Sequence, residues 1–544
     1  MSDPTVSETK LLSQIFFRVY SVFENISMKF VLVICILTGA LFTFWAGICS
    51  NVFPEDYSQE MAKKVSDSLL VNILAWLGII FAIWIVWKIV SLRSQNNDEK
   101  LQKRLHIMMI VLCILLGIFL MVWIHIAHYT PVGDQYYVYS DAIEMLKGNY
   151  STMDVGGYAF HYPYQLNMAF LYQILFAVFH TQSYRVIQYL NIISILLTIY
   201  FGYRIVKEIT QIPVVQVCYM MFGFTFIPLF LYSQFVYGDV ISLAMASLAI
   251  WGLMRWCISE KMYYRFIIVA ALVIGCLLRV NFYVVLIAIS IALLYYIIKN
   301  KSWQSILLLI LCALLSLSSS VLIKAYYEKK SGIEVSRGLP LSYRLHYAMQ
   351  ESPDGPGTYN NDLITDYMLI AEYDYDSFNI MHRAALKERR KEFLDHPEKM
   401  FDFYSRKLML QWNDHTFSSA FATSWVEGKP MSDIEWSVYY GNLKECCDWH
   451  MDRYLFILYL SFTIGMVVLW RQKNELYHYV PLIVIVGGVL CSILIEAKGR
   501  YVMPYVILMQ PYAAIGLGKM IPLVEKLSVQ GKAIVGKKRK NKVR

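Results

Sequence analysis

Charged residues are scarce in this sequence: Asp, Glu, Lys and Arg make up 16% of its 544 residues, against about 25% in ordinary soluble domains. Hydrophobic residues make up 57%, and the mean hydropathy is +0.46. A soluble fold of this length could not bury so much apolar surface. The composition excludes a disordered chain, a disulfide-rich secreted scaffold and an ordinary cytosolic enzyme, and it predicts a polytopic membrane protein.

Cysteine patterns typical of zinc sites are also missing. The ten cysteines show neither C-x-x-C nor Cys/His spacing, and most lie in or beside apolar runs, where cysteine behaves as a small buried hydrophobe. The sequence therefore gives no indication of a structural metal.

Twelve apolar runs approach the length of about 20 residues that a helix needs to cross a bilayer. They predict an all-α membrane protein with about twelve transmembrane helices, near 29–50, 69–91, 106–127, 184–203, 212–232, 239–257, 265–279, 281–298, 303–325, 453–470, 478–496 and 501–520. A further run at 165–180 is shorter, at about 16 residues, and whether it crosses decides the topology.

The positive-inside rule favours a run at 165–180 that does not cross. With a cytoplasmic N-terminus, a crossing there would place Arg204, Lys207 and the basic C-terminal tail outside. We therefore predict an outer-leaflet helix at 165–180, in a plasma-membrane protein with both termini cytoplasmic. The tail then meets the anionic inner leaflet and no nucleic acid. Lys63 and Lys64, in an outer loop, are exceptions to the rule.

The predicted organisation has five parts, and two of them contain long outer segments, which are uncommon without a function. The parts are an N-terminal segment with two accessory helices (1–105), a transmembrane core with the first outer loop 128–180 (106–326), a mainly helical extracytoplasmic loop domain (327–452), C-terminal transmembrane helices (453–520) and the basic tail (521–544). Within the loop domain, His396-Pro397 predicts a break between two helices.

The outer loop after the third span carries two carboxylates, Asp134 and Asp141. Partial burial at the membrane rim would raise the pKa of Asp134 and make it a usable base. The alternative is structural, because both residues precede helix-compatible sequence and suit a helix N-terminus.

An aromatic stretch follows at 158–167. His161, Tyr162, Gln165 and Asn167 place polar groups among its rings. Such a cluster suits a sugar ring, although aromatic residues at an interface also form anchoring belts.

Further polar residues fall at the same predicted face of the membrane. Arginine flanked by apolar runs is expensive in lipid and suits a phosphate at the membrane surface, although a snorkelling side chain is the alternative. These residues are Asp239, Arg279, Asn281, Lys498, Arg500 and Tyr501. Carboxylates and cations on one face fit a lipid phosphate and a hydroxyl-bearing acceptor better than a midplane transport pathway.

This order of elements resembles the GT-C glycosyltransferases, especially the bacterial branch related to protein O-mannosyltransferases and aminoarabinose transferases. The resemblance covers about residues 106–520 and rests on Asp134, His161-Tyr162-Pro163, Asp239 and Arg500-Tyr501-x-x-Pro504. The sequence departs from the family at Gln135, where Glu is common. It also has only Pro163 where the family has a Pro-Pro pair.

The resemblance implies an inverting transfer of a sugar from a polyprenyl-phosphate donor to an extracytoplasmic glycan or protein. Asp134 would be the base, with Asp239 as the second catalytic residue, assisting by binding a metal or the acceptor. The remaining implied roles are phosphate binding by Arg279, Lys498 and Arg500, and sugar or acceptor binding by Asp141, His161, Tyr162, Gln165, Asn281 and Tyr501. A divalent cation is implied for some relatives only, and two carboxylates with a histidine suit one.

Three other functions stay open. A lipid-linked sugar transporter or flippase would need broken helices or paired ionisable residues near the midplane. A lipid-linked oligosaccharide polymerase or ligase would also have many spans and a large outer loop. A non-catalytic membrane scaffold is the remaining alternative.

Overall fold

A computed structural model describes residues 4–52, 63–92, 98–360, 362–472 and 475–542. This part of the chain is mainly helical, and its strands form two short antiparallel hairpins. The predicted all-α polytopic membrane fold is confirmed. Lys473 and the side chains of the basic tail lie outside the described residues.

The elements follow one another along the chain with short connections. The first are α1 (Pro4–Ile48), β1 (Cys49–Val52), β2 (Lys63–Ser66), α2 (Leu69–Leu92), α3 (Asp98–Ile126), α4 (Asp134–Leu146), α5 (Tyr158–His161) and α6 (Leu166–Phe179). The core continues with α7 (Arg185–Ile209), α8 (Pro213–Phe224), α9 (Ile227–Leu231), α10 (Asp239–Ser259), α11 (Met262–Leu278), α12 (Tyr283–Asn300) and α13 (Trp303–Ser331).

The loop domain and the C-terminal helices complete the fold. They are α14 (Leu341–Tyr347), β3 (Glu351–Ser352), β4 (Gly355–Pro356), α15 (Asp362–Leu369), α16 (Tyr375–Asp395), α17 (Pro397–Trp412), α18 (Ser419–Thr423), α19 (Asp433–Tyr439), α20 (Asn442–Trp470), α21 (Val480–Leu494) and α22 (Gly499–Lys542). The predicted break at His396-Pro397 is confirmed, because α16 ends at Asp395 and α17 begins at Pro397.

Membrane-spanning helices dominate the described residues. Nine are long and apolar enough to cross a bilayer, and α8 with α9 and the turn to Gln234, bent by 52°, makes a tenth when the pair is counted as one span. The helix α11 is apolar but shorter, and the predicted span at 501–520 lies in α22. The 165–180 run forms α6, whose 14 residues extend only about 21 Å at 1.5 Å per residue. That length is consistent with a helix that does not cross the bilayer. The position of α6 in the outer leaflet stays a prediction.

Polar residues set the helix ends that matter for the candidate site. A nearly continuous apolar segment is interrupted at Arg279, where the backbone becomes extended and α11 ends, and α12 begins four residues later. Because α10 and α11 are antiparallel neighbours, the start of α10 lies beside the end of α11. The ends of several spans therefore meet on one face of the bundle.

The loop domain is fixed to the connection between α21 and α22. The amide of Ala497 donates to the carbonyl of Gly357, at 2.7 Å. The buried Lys407 ammonium donates to the carbonyl oxygens of Ala348 and Ile493, at 2.6 and 2.9 Å. The turn after β4 and the start of α22 therefore hold one another in place.

Two glycines let α20 and α22 approach closely. A Cβ at Gly516 would collide with the Ser461 carbonyl, and a Cβ at Gly465 would collide with the Tyr512 carbonyl. Small residues at such crossings allow helix backbones to pack directly in a membrane. The position of α22, and of the residues at its start, depends on this contact.

We expect Gly516→Ala to lower the thermal stability of the detergent-purified protein, because the added methyl group has no room and overpacking costs about 1–3 kcal/mol. Gly78→Ala is the matched control, since a Cβ there meets nothing within 4 Å. The measurement is the unfolding midpoint of both variants beside wild type. Equal midpoints for the two variants would contradict the close helix contact.

Candidate functional site

Four helix ends bring the predicted polar residues together on one face of the bundle. Asp239 is the first residue of α10, Arg279 follows α11, Asn281 precedes α12 and Arg500 lies in the first turn of α22. They line a narrow cavity of about 40 Å³ together with Tyr501. We call this cavity the arginine cleft. Residues predicted separately from distant stretches of sequence therefore share one site.

In the arginine cleft, two guanidinium groups lie over the faces of the same two aromatic rings. Arg279 lies 5.2 Å from the ring centre of Tyr237 and 5.6 Å from that of Tyr501. Arg500 lies 5.6 and 5.2 Å from the same two rings. Because guanidinium groups stack well on aromatic faces, these contacts fix the direction of both cations.

One carboxylate faces this pair of cations from inside the cleft. Asp239 Oδ1 lies 3.4 Å from an Arg279 terminal nitrogen, and both side chains are largely buried. Asp239 Oδ2 has no hydrogen-bond partner among the described residues. The charged groups lining the cleft are two guanidiniums and one carboxylate, so their net charge is +1. Burying excess positive charge is costly, and an anion would offset that cost.

The interior of the arginine cleft is apolar. Its deeper walls come from α10, α12, α21 and α22, and include Leu243, Ala246, Val285, Val484 and Leu508. Ala246 lies seven residues beyond Asp239 on α10, which corresponds to about 10 Å along the helix. The cleft thus has a cationic mouth and a hydrocarbon interior.

Lys498 lies at the rim of the arginine cleft, outside its lining. Its ammonium is 3.1 Å from Glu496 Oε1 and 5.7 Å from the ring centre of Tyr359 in the loop domain. The Tyr501 hydroxyl donates to the other Glu496 oxygen, at 3.3 Å. Lys498 and Tyr501 therefore share Glu496 and connect the loop domain to the cleft.

Tyr237 links the cleft to the first outer loop. Gln165 donates a hydrogen bond to the Tyr237 hydroxyl. Burial raises the pKa of Tyr237 well above its ordinary value, and the nearby Asp134 carboxylate raises it further. The phenol therefore stays protonated, close to both the Asp134 carboxylate and the two guanidiniums.

Asp134 is exposed, so its predicted partial burial is wrong. It is the first residue of α4, where a carboxylate interacts favourably with the helix dipole, and Oδ1 accepts a hydrogen bond from the Tyr158 hydroxyl at 3.1 Å. The Tyr158 ring stacks on Tyr137 and lies 5.2 Å from Tyr162. Asp134 therefore belongs to an aromatic wall beside the cleft.

Two predicted site residues are held elsewhere. His161 is buried, its Nδ1 bonds the Gly157 carbonyl at 2.8 Å, and its ring lies against Tyr367 and Tyr373 of the loop domain. Burial lowers the pKa of His161, which keeps the ring neutral. Asp141 accepts a hydrogen bond from Thr152 Oγ1 at 2.7 Å inside the first outer loop. Both contacts stabilise that loop, and neither side chain lines the cleft.

Several residues on which the site depends are not predicted from the sequence. Phe235 and Tyr237 stack on the guanidiniums, and Gln135 accepts a hydrogen bond from the Val236 amide at 2.8 Å. The aromatic pair in Phe235-Val236-Tyr237, just before Asp239, was the available signal. Gln135, first noted as a departure from a family pattern, holds this segment against α4.

A divalent cation receives no support from the geometry. Within the part of the chain that the structure describes, no group of three or more His, Cys, Asp or Glu side chains is arranged to hold a metal ion. Asp239 instead pairs with Arg279.

Residues 32–145 match the accessory gene regulator B family (AgrB). The matched segment covers about a fifth of the chain and includes the C-terminal part of α1, all of α2 and α3, and nearly all of α4. The cationic residues of the arginine cleft lie outside it. No curated protein matches the chain by sequence.

The predicted membership of the GT-C superfamily is wrong, because the family that matches is AgrB and not a glycosyltransferase family. The glycosyltransferase activity implied by that resemblance is wrong for the same reason. The polar residues had been assigned to a family by their order and spacing, but acidic and basic residues at helix ends suit many anion-binding sites.

We expect Asp141→Asn to stabilise the protein at neutral pH. Burial raises the pKa of Asp141 to about 6 from 3.8, so the folded state binds the proton more tightly than the unfolded chain does. The stability from this group is complete below pH 4 and is lost as the pH rises through 6. At pH 7.5 the variant should have a higher unfolding midpoint than wild type, corresponding to a gain of about 1–2 kcal/mol in the free energy of unfolding. This gain should be smaller at pH 4.5. A gain independent of pH would contradict the assignment.

Proposed function

We propose that the protein binds a membrane lipid that carries a phosphate headgroup, with the phosphate at the mouth of the arginine cleft. The observation that carries this proposal is the pair of aromatic-stacked guanidiniums, Arg279 and Arg500, above an apolar interior. Guanidinium matches the geometry of phosphate oxygens. A soluble anion would gain nothing from the hydrocarbon walls below.

The shape of the cleft favours a slender lipid chain such as a polyprenyl phosphate. The cavity is narrow, at about 40 Å³, so the helices that surround it must separate to admit a chain. Beyond the phosphate, the wall formed by Tyr158, Tyr162 and Asp134 offers ring faces and hydrogen-bonding groups. A sugar or another hydroxyl-rich group attached to the phosphate fits that wall.

We place the arginine cleft on the extracytoplasmic face and both termini in the cytoplasm. Arg255 lies sixteen residues beyond Asp239 on α10, about 24 Å along the helix, and Arg204 and Lys207 lie near the end of the adjacent α7. Basic residues concentrate on the cytoplasmic side of membrane proteins. This charge distribution supports a cleft that faces outward.

Binding of a short-chain polyprenyl phosphate to the purified protein tests the proposal. We expect Arg279→Gln and Arg500→Gln each to weaken binding by about tenfold or more, because each removes charge-assisted hydrogen bonds. Arg337→Gln is the matched control, since Arg337 is exposed on the loop domain and pairs with Asp376 at 3.2 Å.

The polyprenol of the same chain length, which lacks the phosphate, serves as the ligand control and should bind weakly. Unfolding midpoints show whether each variant is folded. Equal binding of the alcohol and the phosphate, or undiminished binding by folded arginine variants, would rule out the arginine cleft as the phosphate site.

Translocation of the same lipid is a second candidate function, favoured by the broken span. The helices Pro213–Phe224 and Ile227–Gln234 meet at 52°, and the chain continues directly into Phe235 and Tyr237 of the cleft wall. Broken helices beside a binding site are typical of transporters. In vesicles, a labelled polyprenyl phosphate should exchange between leaflets faster with wild type than with Arg500→Gln. Binding without exchange between leaflets would contradict translocation, and lipid binding would remain the proposed function.

A further inference from the structure

A second group of cations lies at the opposite end of the bundle from the arginine cleft. Arg204, Lys207 and Arg255 line a cavity of about 450 Å³ between α3, α7 and α10, together with His106, Glu208 and Gln211. We call this cavity the basic pocket. Because Arg255 and Asp239 occupy opposite ends of α10, the basic pocket is separate from the arginine cleft.

The two guanidiniums of the basic pocket are held in fixed directions. Arg204 donates to the Tyr200 hydroxyl at 3.1 Å and lies 5.1 Å from the ring centre of Trp251. Arg255 donates to the Tyr264 hydroxyl at 3.2 Å and pairs with Glu208 at 3.4 Å. Guanidiniums oriented in advance lose little entropy when they bind an anion.

The basic pocket has more positive charge than its own residues balance. Glu208 is its one carboxylate among the lining residues, and it pairs with Arg255. Among the described residues, no carboxylate lies within 4.0 Å of the Arg204 or Lys207 side-chain nitrogens. Three cations, Arg204, Lys207 and Arg255, therefore face one carboxylate. Partly buried cations without a counter-charge favour an anionic ligand.

A lipid-facing surface adjoins the basic pocket on α3. Ile107, Ile110, Val111 and Ile114 recur at helical spacing on one side of α3, starting next to His106, and are between 42 and 56% exposed. A soluble anion would gain nothing from this apolar stripe, whereas acyl chains would pack along it. Basic pockets between transmembrane helices on the cytoplasmic side are typical sites for anionic headgroups.

Polar contacts close the pocket on the side away from the membrane interior. Gln102 of α3 donates to the Gln211 carbonyl at 3.1 Å and accepts a hydrogen bond from Gln216 of α8 at 3.0 Å. These bonds tie α3 to the turn between α7 and α8. The open side of the pocket therefore faces the lipid along α3.

We propose that the basic pocket binds the phosphate headgroup of an anionic diacyl lipid of the inner leaflet, with the acyl chains along the Ile107–Ile114 stripe. Arg204 and Lys207 contact the phosphate, and Arg255 with Glu208 forms the fixed wall behind it. This site is independent of lipid binding in the arginine cleft, because the two sites share no residue.

Binding of fluorescent phosphatidylglycerol to the full-length protein in detergent tests this site, with phosphatidylcholine as the zwitterionic comparison. We expect wild type to prefer phosphatidylglycerol. The double variant Arg204→Gln/Lys207→Gln should weaken its binding by about tenfold or more, since each surface cation adds roughly fivefold. The swapped variant Arg204→Lys/Lys207→Arg, which keeps both charges, should restore most of the binding and guards against a folding defect.

Two controls separate this site from other sources of the signal. Lys261→Gln removes a charge from the exposed turn between α10 and α11, and Arg337→Gln removes one from the exposed surface of the loop domain; neither should change phosphatidylglycerol binding. Loss of binding in either control, or no loss in the double variant, would overturn the proposal. Displacement of the lipid by equimolar glycerol phosphate would also overturn it, by showing that a soluble anion suffices.

Discussion

The arginine cleft depends on the stacking of two like charges on shared aromatic rings. Arg279 and Arg500 repel one another, and one carboxylate, Asp239, faces them from inside the cleft. The rings of Tyr237 and Tyr501 offset part of this repulsion and prevent the side chains from turning away to water. Every element that supplies a ring or a charge must therefore end on the same face, which constrains α10, α11, α12 and α22 together.

The cations at the two ends of the bundle have different surroundings. In the arginine cleft the guanidiniums are enclosed by aromatic rings and lie above apolar walls formed by several helices. In the basic pocket the cations surround a larger, more open cavity beside a lipid-facing stripe. A narrow enclosed site selects the shape of one chain, whereas an open site beside lipid selects charge. With both proposed sites, the molecule would combine a shape-selective site with one that selects anionic headgroups.

Local patterns predicted the helices well and the site less completely. The breaks at Arg279 and at His396-Pro397 follow from neighbouring residues, so sequence alone located both. Tyr237 contributes to the cleft through contacts with residues from four distant stretches of sequence. No local sequence pattern reveals such contacts. His161 faces the loop domain, because that domain folds back over the first outer loop. The order of polar residues suggested the wrong family, since helix ends collect such residues for several chemistries.

The hydrogen bond between the Gly357 carbonyl and the Ala497 amide joins segments that are far apart along the chain. Gly357 is buried directly after the β3–β4 hairpin, whose turn at Pro353-Asp354 is the kind of place where chains usually tolerate insertions and deletions. Here a change in length would pull on the start of α22 and displace Arg500. We therefore expect the length of this turn and the length of the α21–α22 connection to change together among related chains.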